Sequence, residues 1–135
     1  MFKKILIPIA PDHAEALDES IGVARALAGP DTTITALAVL EVIPLYVAAE
    51  VPSEVYERSC KEVYETLKEA FRDQADVEIR AETGSPASKI VDVVRDEGFD
   101  LIVIRSHKPG LQDWFLGSTA GRVVRHAPCS VHVVR

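Results

Sequence analysis

A chain of 135 residues, 47% hydrophobic and 27% charged, holds enough apolar material for one core without disulfides or metal, and it reads as a single domain over residues 1–135. A net charge of −6 disfavours nucleic acid and anionic membranes as partners, because their phosphates require a basic surface. The two cysteines, Cys60 and Cys129, are far apart and form no Cys-x-x-Cys pair, which fits a reducing cytoplasm and argues against a disulfide framework or a zinc site.

Apolar runs and amphipathic segments alternate along the chain. Ile5 to Ile9 is a continuous apolar run, the pattern of a strand buried on both faces. It follows Met1-Phe2-Lys3-Lys4 in the manner of an export signal, but Pro8 and then Pro11-Asp12 cut it short, and no run reaches the length of a membrane span. A cytoplasmic location is expected. Leu17, Ile21, Ala24 and Ala28 then lie on one face of a helix that Gly29-Pro30 is expected to stop, and Thr32 to Leu40 reads as the second strand. A helix from about Pro52 to about Asp73 carries the stripe Tyr56, Cys60, Val63, Leu67 and Phe71, with Ser53 as its expected cap.

Val77 to Ala81 alternates with period two, with Glu78, Arg80 and Glu82 opposite the apolar residues, and predicts a more exposed edge strand. Ser85-Pro86 is a cap followed by proline at the first helical position; Ile90, Val93 and Val94 face the core, and Gly98 ends that helix. Leu101 to Ile104 is the fourth strand, Gly117 to His126 the last helix and Val131 to Val134 the fifth strand. This alternation implies parallel strands joined by right-handed crossovers. The fold class is therefore α/β: an open, doubly wound, five-stranded parallel sheet with helices on both faces. Ligands of such sheets bind beyond the carboxyl ends of the strands, where the strand order reverses.

The residues that carry chemistry cluster late in the chain. The fourth strand runs into the polar loop Ser106-His107-Lys108-Pro109-Gly110, after which Gly117-Ser118-Thr119 opens a helix. A loop feeding a helix start of this kind cradles phosphate, since the first N–H groups and the positive end of the dipole point at the anion. The same triplet is also an ordinary cap. Ser106, His107 and Lys108 read either as a polar surface loop or as groups meeting ribose and phosphate. Trp114 and Phe115 read as packing under the loop, with shielding of a ligand as the alternative. His13, His107, His126 and His132 have no metal-ligand spacing, and Arg125 and His126 complement a helix C-terminus. No Walker A loop, nucleophile elbow or phosphoacceptor pair is present, so no enzyme constellation emerges from these residues.

From Arg105 to Arg135 the chain resembles the C-terminal motif of the universal stress protein family, in which Gly-x2-Gly-x9-Gly-Ser/Thr precedes a helix ending in Arg-His-Ala-Pro-Cys and a Val-rich strand. Gly117-Ser118 and Arg125-His126-Ala127-Pro128-Cys129 match that motif, and Lys3-Lys4-Ile5-Leu6-Ile7-Pro8-Ile9 is similar to the family's first strand. The loop Ser106-His107-Lys108-Pro109 is similar to that of a bacterial branch carrying Ser-His-Arg-Pro. There are departures: the two leading glycines fall on Arg105 and Lys108, eight residues rather than nine separate Lys108 from Gly117, and the usual acidic residue after the first strand falls on Ala10.

The resemblance implies a Rossmann-like, adenine-nucleotide alpha-hydrolase-like sheet in which the first and fourth strands are neighbours. It implies ATP or AMP, with magnesium as a candidate companion, held by Pro8, Ile9, Ala10, Val39, Arg105, Ser106, His107, Lys108, Gly117, Ser118 and Thr119. For Val39 the other reading is plain core, and for Arg105 the sequence leaves open an outward turn, an acidic neighbour or a phosphate. It further implies a homodimer through Val131, Val133 and Val134 and an unidentified protein partner. The competing readings are a dimeric interaction module that binds no nucleotide and, third, a slow ATPase.

Overall fold

Alternate residues of the first apolar run face opposite ways, and both sides are covered. In strand β1 (Phe2–Ile9), Ile5, Ile7 and Ile9 belong to one buried cluster and Leu6 to another. Among the described residues, which are 1–10, 17–41, 52–106 and 116–135 of this computed structural model, four more strands lie parallel to it. They are β2 (Ala28–Glu41), β3 (Val77–Gly84), β4 (Leu101–Arg105) and β5 (Ser130–Val134), and the sheet order is β3-β2-β1-β4-β5. Helices α1 (Asp18–Leu27) and α2 (Ser53–Ala70) contribute Ala24 and Leu67 to one face of the sheet. On the other face, α3 (Pro86–Glu97) and α4 (Ser118–His126) contribute Ile90, Val93, Ala120 and Val123. The sheet is open and doubly wound, as the alternation of apolar runs predicts.

Two local expectations are corrected. Gly29-Pro30 does not terminate α1; both residues lie in β2, because Ala28 is already extended (φ −82°, ψ 146°) and pairs with Phe2. Proline disfavours a helical conformation in the residue before it, so Gly29 continues in the strand. The pairing then jumps from Phe2↔Ala28 to Lys4↔Thr33, and the bulge is pinned by the Thr32 hydroxyl. That hydroxyl accepts the Gly29 N–H at 2.7 Å and donates to the Phe2 carbonyl at 2.5 Å. Ser53 does not occupy the cap of α2, since the extended residue there is Pro52, whose carbonyl accepts the Val55 N–H at 3.0 Å.

Strand β3 runs on to Gly84 and lies at the sheet edge, as its alternation predicts, but its polar face is tied to α3. Arg80 pairs with Glu97 at 2.7 Å and Glu82 at 2.5 Å, and Lys89 reaches Glu82 at 3.1 Å. Burial pushes the Glu82 carboxyl up, and the bonds from Lys89 and Arg80 outweigh that and hold it below its usual value. Gly98 ends α3 in the left-handed conformation (φ 73°) that glycine adopts without strain, and both it and Phe99 donate to the Val94 carbonyl at 3.1 Å.

At the amino end of the sheet Asp100 clamps β1. Its carboxylate accepts the Lys3 N–H at 2.8 Å and the Lys4 N–H at 2.9 Å, and its own N–H donates to the Lys4 carbonyl at 3.0 Å. Burial raises the carboxyl's pKa, but the backbone donors prevail and leave it depressed. A depressed carboxyl stabilises the fold above its unfolded value of about 3.9, and that stability is lost as the pH falls through the lower folded value. Asp100→Ala is expected to cost about 1–3 kcal/mol at neutral pH. In urea titrations of both proteins, the gap between them should close as the pH drops through the depressed pKa; a gap that persisted in acid would assign the loss to packing.

Candidate functional site

The strand order reverses between β1 and β4, which pair through Ile5↔Leu101 and Leu6↔Ile102. Beyond β1 the chain continues to β2 and β3, and beyond β4 to β5, so the carboxyl ends of β1 and β4 bound a crevice of the kind that takes ligands in open parallel sheets. Ile9 and Ala10 form one rim. Arg105 and Ser106 form the other.

Ser106 is the joint of this rim. It is 1% exposed, its N–H donates to the Val134 carbonyl of β5 at 2.8 Å, and its carbonyl accepts the Gly117 N–H at 2.6 Å. Two backbone bonds thus set the start of α4 against the ends of β4 and β5. Gly117 occupies the cap position and its carbonyl accepts the Gly121 N–H at 2.8 Å, leaving Ser118, Thr119 and Ala120 as the first turn, whose N–H groups have no intrahelical partner. Ser118 is therefore not the cap, although the sequence allowed that reading. The turn contains no acidic residue of its own to offset the positive end of the helix dipole, and Arg125 and His126 sit in the last turn. The first turn of α1, across the crevice, holds Asp18 and Glu19.

Arg105 takes the second of its three sequence options. Its Nη1 lies 3.3 Å from Glu19 Oε2, with side chains 32% and 66% exposed, so the pair contributes no more than about 1 kcal/mol. Sequence reasoning missed Glu19, which stands 86 positions away; the one available signal was acid in the first turn of α1. Val39 is buried with Leu37, Ala87 and Ile90 under α3. That is its core reading, on a strand about 10 Å from β4 at ordinary strand spacing. Pro8 is half-buried on β1. His107, Lys108, Trp114, Phe115 and His13 lie outside the described residues. Among those described, no group of three His, Cys, Asp or Glu side chains is placed to hold a metal. A shallow groove of about 740 Å³ runs along the last turns of α2 and the start of β3, lined by Tyr64, Lys68, Arg72, Val77 and Ile79. It lies at the amino end of β3, opposite to the crevice, and its mixed charges select no ligand.

The whole chain, residues 1–135, matches the model of the universal stress protein family. A universal stress protein of Methanothermobacter thermautotrophicus is 30% identical over 146 aligned positions, which cover 100% of this chain and 97% of that protein. Among solved structures, the protein MJ0577 superposes with a TM-score of 0.82 at 26% identity, covering 99% of this chain and 96% of that one. A universal stress protein in complex with cAMP superposes with a TM-score of 0.69 at 15% identity, covering 99% and 97%. The chain belongs to the universal stress protein family.

Proposed function

We propose that this chain is a cytoplasmic stress-response protein of one domain that binds an adenine nucleotide and signals through a protein partner as a homodimer. The observation that carries the reading is the first turn of α4, free of acid and fixed at the β1–β4 crevice by the Gly117–Ser106 bond. The residues present fit the group. The N–H groups of Ser118 and Thr119 would hold phosphates, with Gly117 allowing close approach, and Pro8, Ile9 and Ala10 would line the other rim. The cAMP complex of a structural relative supports an adenine ligand of this kind. ATP and AMP are the candidates, and magnesium would accompany ATP through its phosphates. His107 and Lys108 complete the proposed set from the loop.

Equilibrium titration of nucleotide-stripped protein with ATP and AMP tests the reading. Micromolar binding of either supports it, and no binding of either at millimolar concentration overturns it. In that event the dimeric module without nucleotide becomes the better account; Ala10, which removes a carboxylate acceptor, and the Arg105–Glu19 pair favour it.

The homodimer is proposed through β5, whose outer edge has no strand beside it among the described residues and whose Val131 and Val133 are half-buried. A twofold contact is self-complementary, so this one strand supplies both halves. Val133→Lys sets like charges near the axis and should shift a sedimenting dimer to monomer at tens of micromolar; a dimer indifferent to the change lies elsewhere on the surface.

A further inference from the structure

The outer edge of the sheet carries its own register. The Val134 carbonyl accepts the Ser106 N–H at 2.8 Å, and β5 pairs with β4 through Val103↔His132 and Arg105↔Val134. The backbone groups of Val134 therefore turn toward β4 and, by alternation along the strand, so do those of His132 and Ser130. The N–H and C=O groups of Val131 and Val133 point outward, where no strand lies beside them among the described residues. Two such edges related by a twofold axis run antiparallel, and pairing over the whole of Ser130–Val134 sets Val131 against the partner's Val133. These two residues exchange both hydrogen bonds. His132 is left on the axis, facing its own copy at a non-hydrogen-bonded position where Cα atoms stand about 4.5 Å apart.

His132 is exposed, on the face of the sheet that carries Val103 and Val134. Among the described residues β4 places Val103 beside it and Arg105 on the diagonal, the latter with Glu19 of α1 at 3.3 Å. Ser130 and Val134 flank it along β5, which contains no acidic residue. Arg105 and Glu19 bring one charge of each sign and leave the balance to the two rings.

We propose that the His132 pair makes the homodimer sensitive to pH: neutral imidazoles pack against each other across the axis, and protonated ones repel and open the edge contact. The device rests on the homodimer proposed above and names its regulation. Imidazoles gain their charge as the pH falls through the range from about 8 to about 5. Like charges directly opposite each other in an antiparallel pair are destabilising. The separated chains then bind more protons than the dimer, so association is strongest above that range and is lost as the pH falls through it.

Sedimentation of the full chain tests the device. The dimer dissociation constant is expected to rise about tenfold or more between about pH 8 and about pH 5.5 in wild type and in His126→Gln, and to stay level in His132→Gln. His132→Lys, charged throughout, should associate weakly at both ends of the range. Register is checked separately in a background with Cys60 and Cys129 replaced by serine. There His132→Cys is expected to close a disulfide between copies on mild oxidation, and Val131→Cys is not, because Val131 does not face its own copy. Should His132→Gln not associate, His132→Phe takes its place as an uncharged ring under the same criterion. A wild-type dimer indifferent to pH, an uncharged variant that still weakens in acid, or a dimer in which His132→Cys fails to cross-link each overturns the proposal and leaves the homodimer standing. Wild type that stays monomeric at about pH 8 and tens of micromolar removes both.

Discussion

Valine at position 117 is expected to lower ATP affinity by about a hundredfold or more while the unfolding midpoint falls by no more than about 5 °C. The small cost to the fold follows from the backbone. Gly117 sits at φ −58°, ψ 156°, an extended conformation open to any residue, and its N–H can still reach the Ser106 carbonyl. Valine is merely a poorer cap than glycine. The large cost to binding comes from two methyl groups placed over the N–H groups of Ser118 and Thr119. Each bond from such a donor to an anion is worth about 1.5–3 kcal/mol, and losing the pair suffices for a hundredfold change. Gly117→Ala, with one methyl, should fall between. A folded valine variant with parental affinity, established by calorimetry beside a thermal melt, would move the phosphates off this turn.

The largest loss of stability is expected at Ile102. It is fully buried in β4, level with Leu6 on one side and Val131 on the other, and packs in the cluster beneath α3 and α4. With a strand on each flank and helices above, the surroundings have little freedom to collapse, so Ile102→Ala should cost about 3 kcal/mol and lower the midpoint by about 10 °C. Val124→Ala on the exposed face of α4 serves as the comparison and should change stability by less than about 0.5 kcal/mol. Urea unfolding with an unchanged slope for both variants checks the pair; a loss below about 1 kcal/mol at Ile102 would show that the core repacks.

Elements with an unbroken apolar signature were legible from residue types alone. The runs Ile5–Ile9 and Leu101–Ile104 could be satisfied only by burial on both faces, which forces helices onto both sides of the sheet. Punctuation was less dependable. Gly29-Pro30 carries the signature of a helix stop yet lies inside β2, because a backbone pair with Phe2 and a threonine hydroxyl overrode the local preference. Of the candidate site, Gly117, Ser118 and Thr119 were legible as a helix start, since capping chemistry is local. Two features were not: the role of Ser106, which acts through its backbone and leaves no residue-type signal, and the partner of Arg105, which folding brings from the far side of the crevice.

The strand that begins the chain ends up in the middle of the sheet, and this has a consequence for synthesis. β1 and its partner β2 both lie within the first 41 residues, but the other edge of β1 waits for Leu101 and Ile102. About ninety residues separate Ile9 from Leu101, which at ordinary elongation rates of about 5–20 residues per second leaves the edge of Ile5 and Leu6 uncovered for about 5 to 20 seconds on the ribosome. During that interval the nascent chain carries an apolar strand edge whose own partner strand is not yet made, and such edges are prone to pair with other strands.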